Sequence, residues 1–249
     1  DVLGSRGLGD VYKRQGYVVH HGGAGNDIFN IYGVSNKIYG DDGDDIFNII
    51  QGGSNTIDGG TGTNTVTGTV GTNTTINVIG ANSGSVSLTK GVEQVVNING
   101  IDYTMSTEST TATVIYSIND SGQITFSMSS NQAIIRGDLN KKHNVSIKAG
   151  ITFYGGNKGD IIDAHGATIY LGSGNNTLKA FGTTIYGSSG NDTVSITDGS
   201  FFYGGTGITN LTARSLNYIE SVSGTMNLSL QGANNTCLLY TSDAADDLT

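Results

Sequence analysis

A Gly-rich unit of nine residues that returns in register restricts this chain more than any other feature. Gly22-Gly23-Ala24-Gly25-Asn26-Asp27-Ile28-Phe29-Asn30 comes back as Gly40-Asp41-Asp42-Gly43-Asp44-Asp45-Ile46-Phe47-Asn48. It comes back again as Gly59-Gly60-Thr61-Gly62-Thr63-Asn64-Thr65-Val66-Thr67, with Asn64 where the last Asp stood. Weaker half-repeats at 34–38 and 52–57 fall between them, so the apolar residues Phe29, Ile38, Phe47, Ile57 and Val66 come round about every nine residues. A unit this short cannot bury its own apolar side chains. It must stack on its neighbours, which is the condition for a solenoid.

A second block, 151–215, repeats on a coil of about 16–17 residues. Phe153, Ile169, Ile185 and Phe202 form one column, Tyr154, Tyr170, Tyr186 and Tyr203 the next, and Ile162, Leu178, Val194 and Leu211 a third. Between the blocks, 68–150 has a different pattern. Asn99-Gly100 sits between Val95-Val96-Asn97-Ile98 and Ile101-Asp102-Tyr103-Thr104, which predicts a hairpin. Alternating Val114, Tyr116, Ile118 and Ile124, Phe126, Met128 flank the turn residues Asn119-Asp120-Ser121-Gly122. The expected fold is therefore all-β: a parallel β-roll or β-solenoid in two blocks, 16–67 and 151–215, separated by a small antiparallel β insert at 68–150, with a strand exit at 216–236. With 39 Gly, no Pro and no sustained period of 3.6, helix is at most a minor component.

The two ends differ from everything between them. Asp10-Val11-Tyr12-Lys13-Arg14-Gln15 and Cys237-Leu238-Leu239-Tyr240-Thr241-Ser242 can be encoded by DNA strings that are nearly reverse complements. Both resemble a sequencing-library adapter read through in frame, so 1–15 and 237–249 are expected to be artefact, with a truncated natural segment between them. The single cysteine, Cys237, then falls in the artefact. A cysteine-free chain draws no stability from disulfides, and bound metal is one substitute.

The nonapeptide Gly-Gly-x-Gly-x-Asp-x-apolar-x, matched in full at 22–30, resembles the repeats-in-toxin (RTX, hemolysin-type) family. The resemblance covers 22–67 well and 151–212 loosely. It implies turns that bind calcium followed by short strands of a parallel β-roll. The residue types suit that role: glycines accept positive φ and let carbonyls turn inward, and calcium takes six to eight hard oxygen ligands. On the family pattern Asp27 and Asp45 are the carboxylate ligands, Gly23, Gly25, Gly40 and Gly43 lie in the carbonyl-supplying turns, and Asp42 adds to the acidic field with Asp41 and Asp44. In the second block the corresponding residues are Asp160 and Asp192, with Asn175-Asn176 in the coil between them and Lys158 where the motif has Gly. A Gly-Asn-Asp turn is also an ordinary tight turn, so both readings stand at this point.

Other residues point to less. His20-His21, His143 and His165 share no metal-ligand spacing and are expected on the surface or in turns. Arg136-Gly137-Asp138 is a common turn tripeptide, and Asp160 with Asp163 makes an acid/base pair only if a cleft holds both. The tyrosine column is expected to pack inward or at an edge. The Thr-x-Thr groups at 61–69 are out of register with one coil face, against an ice-binding array.

The net charge of −9 disfavours nucleic acid as a partner and favours cations, and no apolar run is long enough for a membrane span. The expected function is a non-enzymatic, calcium-binding structural or interaction module of a secreted or surface bacterial protein, adhesin-like and exported by a type I system. Calcium and cell-surface glycans or proteins are the expected partners, and oligomeric state is left open. Two alternatives stay open: the non-catalytic RTX tail of a secreted hydrolase or epimerase, and a β-helix acting on polysaccharide.

Overall fold

β-Branched and aromatic residues alternating with small polar ones favour strands that put one face in and one face out. The computed structural model consists of such strands. It describes residues 5–6, 11–14, 18–51, 55–69, 75–79, 82–221 and 223–239, and among these every regular element is a strand. No helix among the described residues is long and apolar enough to cross a membrane. The chain separates into two compact units, Asp1–Ile135 and Arg136–Thr249. The strand Ala133–Gly137 carries the boundary.

In the first unit successive strands alternate between two sheets as far as Gln94–Ile98, after which each hairpin keeps two successive strands in one sheet. One holds Val19–Ala24, Lys37–Asp42, Thr56–Asp58, Thr75–Ile79, Gln94–Ile98 and Ile101–Ser106 in that spatial order. The other holds Ile28–Tyr32, Ile46–Gln51, Thr65–Thr69, Ser83–Thr89, Thr111–Ile118 and Ile124–Ser130. The repeat sets the register: Phe29 lies beside Phe47 and Phe47 beside Val66 in parallel rungs. A slip of one residue would turn this whole apolar column to solvent. The Phe29 and Phe47 rings stack at 4.9 Å, and both are buried with Ile38, Ile57 and Val66. Each such side chain is worth about 1.5–3 kcal/mol of burial.

Antiparallel pairs occur within 68–150, but its strands are rungs of these same two sheets: Ser83–Thr89 also pairs in parallel with Thr65–Thr69, and Gln94–Ile98 with Thr75–Ile79. Gln94–Ile98 pairs antiparallel with Ile101–Ser106 through Asn99 and Gly100, at φ 49° and 82°. Positive φ at both central residues is what a tight hairpin with the native twist demands. Thr111–Ile118 pairs antiparallel with both Ser83–Thr89 and Ile124–Ser130. At the second turn the Asn119 side-chain oxygen accepts from the backbone N–H groups of Ser121 and Gln123.

In the second unit the rungs from Asn144–Ile147 and Ile151–Tyr154 onward are parallel. One sheet runs Ile151–Tyr154, Thr168–Tyr170, Thr184–Tyr186, Phe201–Tyr203, Tyr218–Ser221. The other runs Asn144–Ile147, Ile161–His165, Thr177–Phe181, Asn191–Thr197, Ile208–Arg214, Thr225–Gln231. Phe153, Ile169, Ile185 and Phe202 form a buried column, and Ile162, Leu178, Val194 and Leu211 form another. Of the two places expected for the tyrosine column, inward or at an edge, the inward one is overturned: strand alternation puts it outside. Tyr154, Tyr170, Tyr186 and Tyr203 stack ring on ring at 4.5, 4.5 and 5.0 Å, half-buried, with the Arg136 guanidinium 5.2 Å over the first ring.

Of the segments expected to be adapter-derived, Ser5–Arg6 and Val11–Arg14 pair in parallel with Val19–Ala24 and Ile28–Tyr32. Thr236–Leu239 pairs with Tyr218–Ser221. The rest of 1–15 and of 237–249 lies outside the described residues.

Candidate metal centre

The last residue of each glycine turn is polar, buried and hydrogen-bonded to the coil before it. Asp27 N–H donates to Asp45 Oδ1 at 2.9 Å, and Asp45 N–H donates to Asn64 Oδ1 at 2.8 Å. Each side-chain oxygen thus satisfies a backbone donor that has left one strand and not yet joined the next. An unsatisfied donor at such a buried site would cost about 1–3 kcal/mol. The same arrangement runs through the second unit, where His143 N–H donates to Asp160, Asp160 N–H to Asn176 and Asn176 N–H to Asp192. The position therefore asks for an acceptor oxygen, and either Asp or Asn supplies it.

What separates these residues is the second side-chain atom. Asn64 Nδ2 donates to Thr61 O of its own turn at 3.2 Å, and Asn176 Nδ2 donates to Gly172 O and Gly174 O at 3.0 and 2.8 Å. Turn carbonyls are thereby capped by an amide. A carboxylate cannot do this. Asp160 instead takes Gly156 N–H on Oδ2, and Asp192 takes the Ser188 hydroxyl on Oδ2. Asp45 Oδ2 is buried and accepts no hydrogen bond.

Electrostatics also weigh on the Asp45 carboxylate. Burial pushes its pKa up, the Asp27 N–H pulls it down, and the charges of Asp27, Asp41 and Asp44 push it up again, with a net rise. Its carboxylate folds back over its own turn. A Cβ placed on Gly40 would lie 2.1 Å from Asp45 Oδ2 and 2.6 Å from Gly59 O, so no side chain larger than hydrogen fits there. Gly25 and Gly43 hold positive φ of 122° and 146°, and a Cβ on Gly43 would lie 2.0 Å from Gly25 O. The turns are stacked backbone on backbone.

The expected ligands are thus partly brought together. Asp27 and Asp45 share one hydrogen-bonded ladder, with Gly23, Gly25, Gly40 and Gly43 in the turns around it. Asp42 points outward and accepts from the Thr61 hydroxyl at 2.9 Å. Asp41 accepts from Gly23 N–H and lies 3.2 Å from the His21 ring, while Asp44 accepts from Thr63 N–H. No three His, Cys, Asp or Glu side chains among the described residues converge as a metal cluster. A cation here would rest chiefly on backbone carbonyls and the Asp27 and Asp45 carboxylates. That all-oxygen set fits calcium in kind.

In the second unit Asp160 and Asp192 are buried and filled by their own chain. Asp160 Oδ1 accepts from both the backbone and the ring Nδ1 of His143, the latter at 2.8 Å. His143 lies at the end of a loop, one of the two places expected of it, but it is wholly buried there and not on the surface. Burial alone would raise the Asp160 pKa, but the His143 hydrogen bonds and charge and the Gly156 N–H outweigh it and leave it lowered. Asp163 faces the opposite side of the same sheet, so the two carboxylates share no cleft.

Sequence reasoning missed two further ladders. Asn36 N–H donates to Asn55 Oδ1 at 2.9 Å, and Ser200 N–H to Asn217 and Asn217 N–H to Asn235, each at 3.1 Å. The signal was present in the half-repeats, which carry an Asn two residues before each buried Ile38 and Ile57. The chain matches no family model, no curated protein and no solved structure.

Proposed function

We propose that the first unit is a calcium-binding β-roll of the RTX type. On this reading the chain is a structural or interaction module of a secreted or surface-attached bacterial protein, folded by extracellular calcium after type I export. One observation carries the proposal: Asp45 Oδ2 is buried without a hydrogen bond, at the position where Asn64 and Asn176 cap turn carbonyls with an amide. Carbonyl oxygens and a carboxylate oxygen facing one another repel, and a buried uncompensated charge costs several kcal/mol. A divalent cation held by Asp27, Asp45 and the turns containing Gly23, Gly25, Gly40 and Gly43 removes both penalties.

Such a site couples binding to folding. A ligand that binds only the folded chain stabilises it by about 2.7 kcal/mol at a hundred times its dissociation constant. In low calcium the acidic, Gly-rich first unit is unstable, which suits export unfolded. The proposal is confined to the turns 22–27 and 40–45. Asp160 and Asp192 have donors from their own chain on both oxygens, which supports a second unit that stands without metal.

Circular dichroism of the full chain tests this. Chelator should remove the part of the β signal that belongs to the first unit, and calcium should restore it. Spectra and melting curves indifferent to chelator and calcium alike would sink the proposal.

A further inference from the structure

Outward residues on three adjacent rungs of the second unit form a groove of about 480 Å³ lined by Asp163, His165, Lys179, Phe181, Ser195 and Thr197. The rungs fix their order. Asp163 lies beside Lys179 and Lys179 beside Ser195, while His165 lies beside Phe181 and Phe181 beside Thr197. Phe181 is 50% exposed, and its ring centre is 6.3 Å from that of His165. His165 Nε2 is 3.2 Å from Asp163 Oδ1. Lys179 is exposed and in register with Asp163, yet it makes no salt bridge or hydrogen bond among the described residues.

We propose that this groove binds a carboxylate-bearing sugar, a hexuronate unit of an acidic polysaccharide. The combination of groups selects this class. An exposed aromatic face packs against the C–H face of a pyranose, and burying it recovers apolar area now in water. Asp163, Ser195 and Thr197 offer an acceptor and two hydroxyls for ring hydroxyls. Lys179 supplies one uncommitted cation for one carboxylate. A phosphate-rich polymer calls for several cations or an Arg fork, and the chain carries −9 overall. The groove has the size of a small-molecule site and falls far short of a protein interface. Rungs about 4.8 Å apart make three rungs about 10 Å long, which suits a short run of sugar units along the coil axis.

The site is independent of the calcium reading, because every residue in it belongs to the second unit, whose buried carboxylates are filled internally. Titration calorimetry of the full chain with tri-galacturonate, at matched calcium and again after chelation, tests it. Saturable binding is expected in both buffers wherever circular dichroism shows the second unit folded, with a neutral trisaccharide at least about tenfold weaker. Lys179→Ala should abolish the preference for the acidic sugar, and Phe181→Ala should weaken both ligands about tenfold or more. Phe201→Ala, an exposed aromatic on the other sheet, should change neither. No binding by the folded chain, equal binding of the neutral sugar, or binding that survives both groove variants would overturn the proposal. So would binding that Lys179→Ala leaves intact and chelation removes, since that marks a calcium bridge.

Discussion

The N–H of Asp27 donates to Oδ1 of Asp45 across 2.9 Å, joining one coil to the next inside the first unit. This bond needs an oxygen and is indifferent to charge, because Asn64 and Asn176 accept in the same way. The charge on Asp45 is therefore surplus to the ladder, and its effect can be separated from the ladder by substitution.

Asp45→Asn keeps the acceptor and gives the turn an amide like that of Asn64. In chelator it should leave stability unchanged or raise it by about 1 kcal/mol, and it should remove the response to calcium. Asp45→Ala deletes the acceptor and should cost about 1–3 kcal/mol with or without calcium. Urea midpoints of the three proteins in both buffers check this. Equal losses for the Asn and Ala variants in chelator would show that the charge is needed without metal.

Asp160 should make the second unit acid-sensitive. Its folded pKa is lowered from 3.8, so its contribution is fully present above that value and is lost as pH falls through the folded pKa. A hydrogen bond to a charged group is worth about 1.5–3 kcal/mol. The stability gap between the wild type and Asp160→Asn should therefore be constant at neutral pH and should close below 3.8. A gap that widens on acidification contradicts the assignment.

Two glycines separate crowding from backbone strain. A Cβ on Gly172 would lie 1.7 Å from Gly156 O, whereas a Cβ on Gly199 meets nothing within 4 Å but sits at φ 77°. Gly172→Ala should prevent close stacking of the turns and cost several times the roughly 1 kcal/mol expected for Gly199→Ala. Thermal melts of both variants decide it, and similar losses would place the cost in φ alone.

The tyrosine ladder should be cooperative. Tyr170 stacks on Tyr154 and Tyr186 at 4.5 Å each. A double-mutant cycle between Tyr170→Ala and Tyr186→Ala should give a coupling of about 0.5–1.5 kcal/mol. Additive losses would mean that the rings stack without stabilising one another.

How far these features could be read beforehand depended on periodicity. Phe29, Phe47 and Val66 recur because stacked rungs need like residues in one place, so fold and inward face were legible from spacing alone. The Asn99-Gly100 hairpin was legible because few residue pairs tolerate positive φ twice. His143 was not, since it occurs once in its column and only Asp160, on the next coil, accounts for its burial. The tyrosines repeat as regularly as the isoleucines beside them, and period alone does not distinguish an outer ladder from an inner one. The groove at Lys179 and Phe181 was invisible for a related reason: its residues are adjacent across rungs and share no motif.

The most direct test of the central claim is a calcium titration of the wild type and Asp45→Asn by calorimetry, each under conditions where it is folded. Saturable binding by the wild type at the turns 22–27 and 40–45 is expected, with loss of that binding in Asp45→Asn. Undiminished binding by the variant, or no heat of binding in the wild type at millimolar calcium, would contradict that claim.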